Sequence, residues 1–350
     1  MRTSAFGRWL LILGGVLPSC FQGGAVQAME RFAFEKAEMG VPVRVTLYAE
    51  DEEAARKSAD AAFARVARLN AVFSDYDSDS ELSQLAESSG QNRAVTVSEE
   101  LWRVLEYAQH VARRSQGAFD MTVGPLVNLW RTARRKKVLP SADKLEDARA
   151  RVGYQFVHLD AGARRVLLEK PRMRLDAGGI AKGHAMEEAL QVLRKQGHAR
   201  AMVSGGGDMA LGDPPPGERG WRIEVVALDA QGAPAPRRLQ LSNRCISTSG
   251  DLFQRLEIDG KRYSHIVDPR TGVGLTDHSQ VSVVAEHGMQ ADALSKVLAV
   301  LGPEAGLALI EETPGAAAYG VRAPGERIEQ FFSTRWKGLE AGAGEPEQAP

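Results

Sequence analysis

The sequence predicts an α+β, or mixed α/β, fold in one large domain. Helical and strand periodicities alternate irregularly, several strand pairs are joined by hairpin signatures, and no domain linker or internal repeat interrupts residues 29–335. A doubly wound parallel sheet would need regular alternation and is not expected. With 350 residues, 43% of them apolar, the chain can bury a large core. Its 44 basic and 45 acidic residues nearly cancel, which leaves no general field to attract nucleic acid.

Residues 1–28 read as an export signal. Arg2 and Arg8 flank a polar start, residues 9–17 are apolar, and Val26-Gln27-Ala28 suits cleavage. The apolar run is too short to span a bilayer. A competing reading takes Leu17-Pro18-Ser19-Cys20 as a lipobox, which would make Cys20 an acylated N-terminus and lipid anchor, although Pro18 fits it poorly. Both readings export the mature protein and leave Cys245 without a disulfide partner.

Residues 31–49 alternate as two strands (Val41, Val43, Val45, Leu47) broken at Met39-Gly40. Asp51-Glu52-Glu53 opens a helix with acid at its positive end, and an apolar stripe runs from Ala55 to Phe73. The polar stretch 74–81 surrounds one aromatic, Tyr76. Ser98 caps a helix through Arg114. Gly117-Ala118-Phe119-Asp120 leads into an apolar block ending at Trp130, and Asp120 suits a cap for the turn at Thr122. Residues 131–137, RTARRKK, form the only basic run and read as a solvated loop or helix face, and in order along the chain as a mobile basic linker. Residues 155–170 are a hairpin turning at Asp160-Ala161-Gly162.

A short strand over 173–176, two glycines and a helix over 180–196 follow, stopped by Gly197. That arrangement brings backbone N–H groups toward an anion. Lys182 in the first turn opposes the helix dipole and would gain from a phosphate there; a plain exposed lysine is the alternative. Strand 199–203 delivers Gly205-Gly206-Gly207, whose ordering implies close backbone approach to another strand or to a nucleotide. Ser247-Thr248-Ser249-Gly250-Asp251 gathers three hydroxyls and a carboxylate about a glycine. A hairpin with Asp259-Gly260 at its turn then carries His265 into a tight turn beside those hydroxyls, although a strand histidine often only packs. The helix over 289–301 sets Asp292, Ser295 and Lys296 on one face at i, i+3 and i+4. Residues 316–322 and 327–332 read as closing strands, and 337–350 as a disordered tail.

TSGD, a hairpin and then HIVDPRTG resemble the hallmark of the FAD:protein FMN transferases, the ApbE family. Further ordered blocks extend the resemblance: Met39-Gly40, FSDYDSDSELSQL at 73–85, GAFDMTVGPLVNLW at 117–130, LDAGGIAKGHAMEEAL at 175–190, SGGGDMALG at 204–212 and ADALS at 291–295. The resemblance implies a single large catalytic domain over 29–336 with a flavin-nucleotide cleft. Such enzymes split FAD and attach its FMN half, as a phosphoester, to a threonine of another protein, releasing AMP.

By the same resemblance Tyr76 lies on the flavin ring, and Met39, Ala118, Phe119, Asp120, Asp176, Lys182 and Ile266 line the FAD. The Gly179 carbonyl, Asp292 and Ser295 would hold Mg²⁺. The fourth position is a threonine in the family but Lys296 here, which should weaken the metal. His265 is the candidate general base, since an imidazole suits that task near neutral pH. Implied partners are flavin-accepting subunits of membrane electron-transfer systems, and the implied compartment is the periplasm. An FAD pyrophosphatase and a non-catalytic flavin-binding protein with an impaired metal site are the alternatives.

Overall fold

A computed structural model of the chain describes residues 29–225, 236–250, 255–258, 260–325 and 327–341. The expected signal segment, Cys20 and Asp251 lie outside the described residues. In chain order, β1 (Glu30–Glu38) and β2 (Val41–Ala49) form a hairpin, and α1 (Glu52–Phe73) and α2 (Glu81–Glu87) follow. Then come β3 (Val95–Thr96), α3 (Glu99–Arg114), α4 (Gly124–Lys136), α5 (Ala142–Arg149), β4 (Val157–Asp160) and β5 (Arg165–Leu168). The second half contains α6 (Ala181–Lys195), β6 (Ala201–Gly205), β7 (Asp208–Leu211), β8 (Trp221–Val225), β9 (Arg237–Leu241) and β10 (Arg244–Gly250). It ends with β11 (Arg255–Ile258), β12 (Lys261–Ser264), β13 (His278–Ala285), α7 (Gly288–Glu311), β14 (Ala317–Ala323) and β15 (Glu329–Phe332).

Eight strands in the order β1-β2-β6-β7-β10-β13-β14-β15 make one antiparallel sheet. Alternation along each strand splits its side chains between two cores. Val43, Val45, Leu47, Val203, Val281 and Val283 pack with α1, α6 and α7. From the other face, Leu211, Ile246, Val284, Tyr319 and Val321 pack with the β8–β9 hairpin and Trp336. A third cluster joins Leu126, Trp130 and Ala133 of α4 to Leu256, Tyr263 and Val267 around the β11–β12 hairpin.

Local chemistry fixes the ends of these elements. Asp51 accepts from Ala54 N–H (2.8 Å) and Ser98 Oγ from Leu101 N–H (3.2 Å), so each caps its helix. Met39 and Gly40, both at positive φ, make the two-residue β1–β2 turn. α7 is long and apolar enough to cross a membrane, yet Gly302 (φ 74°, ψ −173°) breaks it before Pro303, and its first half is buried on the sheet.

Three expectations are corrected. Residues 131–136 are the helix face and not the mobile linker: they form the last turns of α4, whose Leu126, Trp130 and Ala133 are buried. Residues 173–176 make no strand, only an isolated bridge between Arg174 and Val123. The folded chain continues past 336: Trp336–Leu339 is a 3₁₀ turn with Trp336 buried, and Ala341 N–H donates to Arg238 C=O.

Candidate active site

Two helices cross where the chemistry gathers. A Cβ on Gly183 of α6 would lie 2.2 Å from the Gly288 carbonyl of α7, and one on Gly288 only 1.9 Å from the Gly183 carbonyl. Only glycine permits that approach at either position. It brings the Gly183 N–H, one of the orphan donors in the first turn of α6, to Asp292 Oδ2 (3.1 Å). The anion at this helix N-terminus is therefore the protein's own carboxylate.

Around Asp292 lies a buried charge cluster. Lys296 Nζ donates to Asp292 Oδ1 and to Ser295 Oγ (3.2 Å). Lys182 Nζ donates to the Gly178 carbonyl (2.9 Å) and pairs with Asp208 Oδ2 (3.5 Å). Asp208 is 2% exposed, and among the described residues its Oδ1 has no hydrogen bond of ordinary length. Burial and the neighbouring Asp292 push the Asp208 carboxyl up to about 6, against the pull of Lys182 and Lys296. Burial also works to raise Asp292, but Lys296 and Lys182 outweigh it and hold that carboxyl below its ordinary value. For Lys182 burial favours the neutral amine, and the charges of Asp292, Asp208 and Asp176 overcome it, so its pKa is raised.

The β10 pleat sorts the hydroxyl cluster. Ser247 and Ser249 face α7, with Ser249 Oγ 2.8 Å and Ser247 Oγ 3.4 Å from Ser295 Oγ. Thr248 faces away, toward Ser282 Oγ (2.8 Å). The glycine run meets a strand: Gly206 and Gly207 turn the β6–β7 hairpin at positive φ, and a Cβ on Gly207 would lie 2.8 Å from the Thr248 carbonyl.

A cleft opens beside this cluster. Tyr76, Ala118, Phe119, Asp120, Arg131, Asp176, Gly179, His265, Ile266 and Lys296 all line it. Asp176 N–H donates to the Met121 carbonyl (2.7 Å), which lays the 118–121 segment against the Asp176–Gly179 turn. His265 is carried by a turn that Asp268 fixes, with both its oxygens on Arg270. Trp130 Nε1–H donates to the Gly272 carbonyl (2.8 Å) and ties that turn to α4.

At the rim Tyr76 is 80% exposed, with the Arg131 guanidinium 4.2 Å above its ring. Arg131 also donates to Asp75 and to Asp176 Oδ2 (3.2 Å). Burial and the nearby Asp75 raise the Asp176 carboxyl, against Arg131.

Of the residues singled out from sequence, the cleft thus gathers Tyr76, Ala118, Phe119, Asp120, Asp176, Gly179, His265, Ile266 and Lys296. Asp292, Ser295 and Lys182 form the charge cluster beside it. Met39 lies in the β1–β2 turn and outside the cleft lining. Asp120 lines the cleft, but its oxygens serve the loop: Oδ1 accepts from Thr122 N–H (2.8 Å) and hydroxyl (2.7 Å), Oδ2 from Tyr154 N–H (2.7 Å). Arg131 and Asp208 are the residues that sequence reasoning left unassigned.

The donors expected for Mg²⁺ do not fit it as they stand. Both Asp292 oxygens are engaged, one by Gly183 N–H and one by the Lys296 ammonium. Ser295 Oγ is shared among Ser249, the Asp292 carbonyl and Lys296. Mg²⁺ demands near-octahedral oxygen ligands, and an ammonium stands in the expected set. Among the described residues no three His, Cys, Asp or Glu side chains gather as an alternative metal site.

A guanidinium-backed aromatic rim, the Lys296 ammonium and His265 thus line one cleft, beside a buried charge cluster. The chain belongs to the ApbE family, whose model matches residues 39–320. It is 32% identical over 329 residues to the FAD:protein FMN transferase of Treponema pallidum, covering 89% of each chain. Its fold is similar to the apo crystal structure of the flavinyl transferase ApbE of Pseudomonas stutzeri (TM-score 0.78, 30% identity, 90% of this chain and 98% of that one). The flavin transferase ApbE of Vibrio cholerae superposes with a TM-score of 0.79 at 27% identity, over 89% of this chain and 99% of that one.

Proposed function

We propose that this transferase moves the FMN half of FAD onto a threonine of an acceptor protein, forming a phosphoester and releasing AMP. The observation that carries the reading is one cleft lined both by an exposed aromatic–guanidinium rim suited to a flat ring and by the Lys296 ammonium suited to phosphate. In the step, the threonine oxygen attacks the phosphorus on the FMN side. The bond from that phosphorus to the bridging oxygen breaks, and AMP leaves with that oxygen. His265 takes the hydroxyl proton. Positioning and charge neutralisation account for most of such a reaction. Lys182 and Lys296 supply the positive charge, Asp176 and Arg131 set the wall, and Phe119 packs beside Gly179. Magnesium, the helper expected from the resemblance, takes no part in this step, because its expected donors are already engaged.

The proposal extends to location and partner. The signal over residues 1–28 supports a periplasmic enzyme, soluble or anchored through an acylated Cys20. A flavin-accepting subunit of a membrane electron-transfer system is the proposed acceptor. Incubating the protein with FAD and a threonine-bearing acceptor peptide tests the activity by mass spectrometry. Flavinylated peptide is expected; free FMN without it would mark a pyrophosphatase, and unchanged FAD a binding protein.

A further inference from the structure

We propose that the Lys296 ammonium stands where a divalent cation would, so that this chain neutralises the diphosphate of FAD with lysines and works without a metal. The inference rests on the transferase reading above for its ligand, and on the following geometry for its charge.

Asp292 is wholly buried, and a buried carboxylate needs a cation or donors on both oxygens. Gly183 N–H and Lys296 Nζ are those partners. Lys296 is held on three sides. Its ammonium bonds Asp292 and Ser295 Oγ, and its stem packs over Gly179, where a Cβ would lie 3.3 Å from Lys296 Cγ. Its side chain is 18% exposed and also lines the cleft, so the cation faces both the buried carboxylate and the space for ligand.

The charges balance without a metal. Asp75, Asp176, Asp208 and Asp292 supply four negative charges, and Arg131, Arg134, Lys182 and Lys296 supply four positive ones. With an uncharged residue at 296 the wall would be one charge negative before a dianionic diphosphate arrived, and a divalent cation would be needed to admit it. A fixed ammonium removes that need and repels Mg²⁺ from the same carboxylate.

The test measures binding as well as turnover. Calorimetric titration of the wild-type protein with Mg²⁺ should show no site, and FAD affinity and flavin transfer should be the same in magnesium and in EDTA. Lys296→Thr should acquire a Mg²⁺ site, lose about tenfold in FAD affinity in EDTA and recover it with magnesium. Lys296→Met, which removes the charge without adding an oxygen, should lose the same affinity and not recover it. A wild-type protein that binds Mg²⁺ and loses FAD affinity in EDTA overturns the proposal, even if neither variant folds. Absence of flavin transfer under every condition would sink the transferase reading, while the magnesium titration and the FAD affinity in EDTA still decide whether Lys296 takes the cation's place.

Discussion

Beside the inner wall of the cleft, Asp292 and Asp208 are 0% and 2% exposed, and their partners come from α6 and α7. At the outer end Tyr76 is 80% exposed and rests on one guanidinium. The inner charges are held by the same contacts that hold the helices, among them the Gly183–Gly288 crossing, so function and stability share residues there. The rim is a loop turned by Ser74, whose Oγ accepts from Tyr76 and Asp77 N–H, and little of the fold depends on it. Substitutions should therefore separate: inner ones should move stability and binding together, rim ones binding alone.

His265, on the turn between the two ends, carries the largest expected effect. His265→Ala should slow single-turnover flavin transfer by roughly 10²–10⁴-fold, as loss of a general base does, with FAD affinity nearly unchanged. Unaltered transfer would make His265 a packing residue and move the base elsewhere.

Lys182→Met sharpens the inner half of the comparison. It would strand the Asp208 carboxylate, one oxygen of which already lacks a partner among the described residues. Urea denaturation at pH 7 should show a loss of about 3–5 kcal/mol, with weaker FAD binding alongside. A loss under about 1 kcal/mol would mean that Asp208 sheds its charge once the lysine is gone. Tyr76→Ala tests the rim. FAD affinity should fall by up to about 1–2 kcal/mol, by analogy with aromatic pairs, while the denaturation midpoint stays put. Equal affinity in both proteins would remove Tyr76 from the ring site.

The two ends also differed in how far the sequence disclosed them. Helix starts at Asp51 and Ser98, the Met39-Gly40 turn and the i, i+4 pairing of Asp292 with Lys296 follow from local chemistry, and the structure bears these out. The bonds of Asp208 depend on where α6 meets the β6–β7 turn, a tertiary fact with no local trace. Arg131 had a usable signal that the basic run obscured. Pro125 in the first turn, followed by Leu126, Trp130 and Ala133 at helical spacing, marks a helix that turns Arg131 toward the cleft. Alternation along β10 could likewise have separated Thr248 from Ser247 and Ser249.

Asp120 belongs to neither end, and its effect is the smallest. Burial pushes its carboxyl up to about 6 from an ordinary 3.8, although Thr122 and Tyr154 donate to it. The folded protein therefore takes up a proton as pH falls through 6, whereas the unfolded chain waits until near 3.8. A raised carboxyl is costly when ionised, so its contribution to stability grows as pH falls from 7 toward 5, opposite in sign to a carboxylate held low such as Asp292. The gain over that interval is about 1 kcal/mol. Asp120→Asn loses the acceptor for Tyr154 N–H at every pH, a constant cost that cancels in the comparison. Urea denaturation of both proteins at pH 7 and pH 5 isolates the titration. Wild type should improve relative to D120N on acidification, and parallel behaviour would mean that the loop's three donors hold the carboxylate ionised despite its burial.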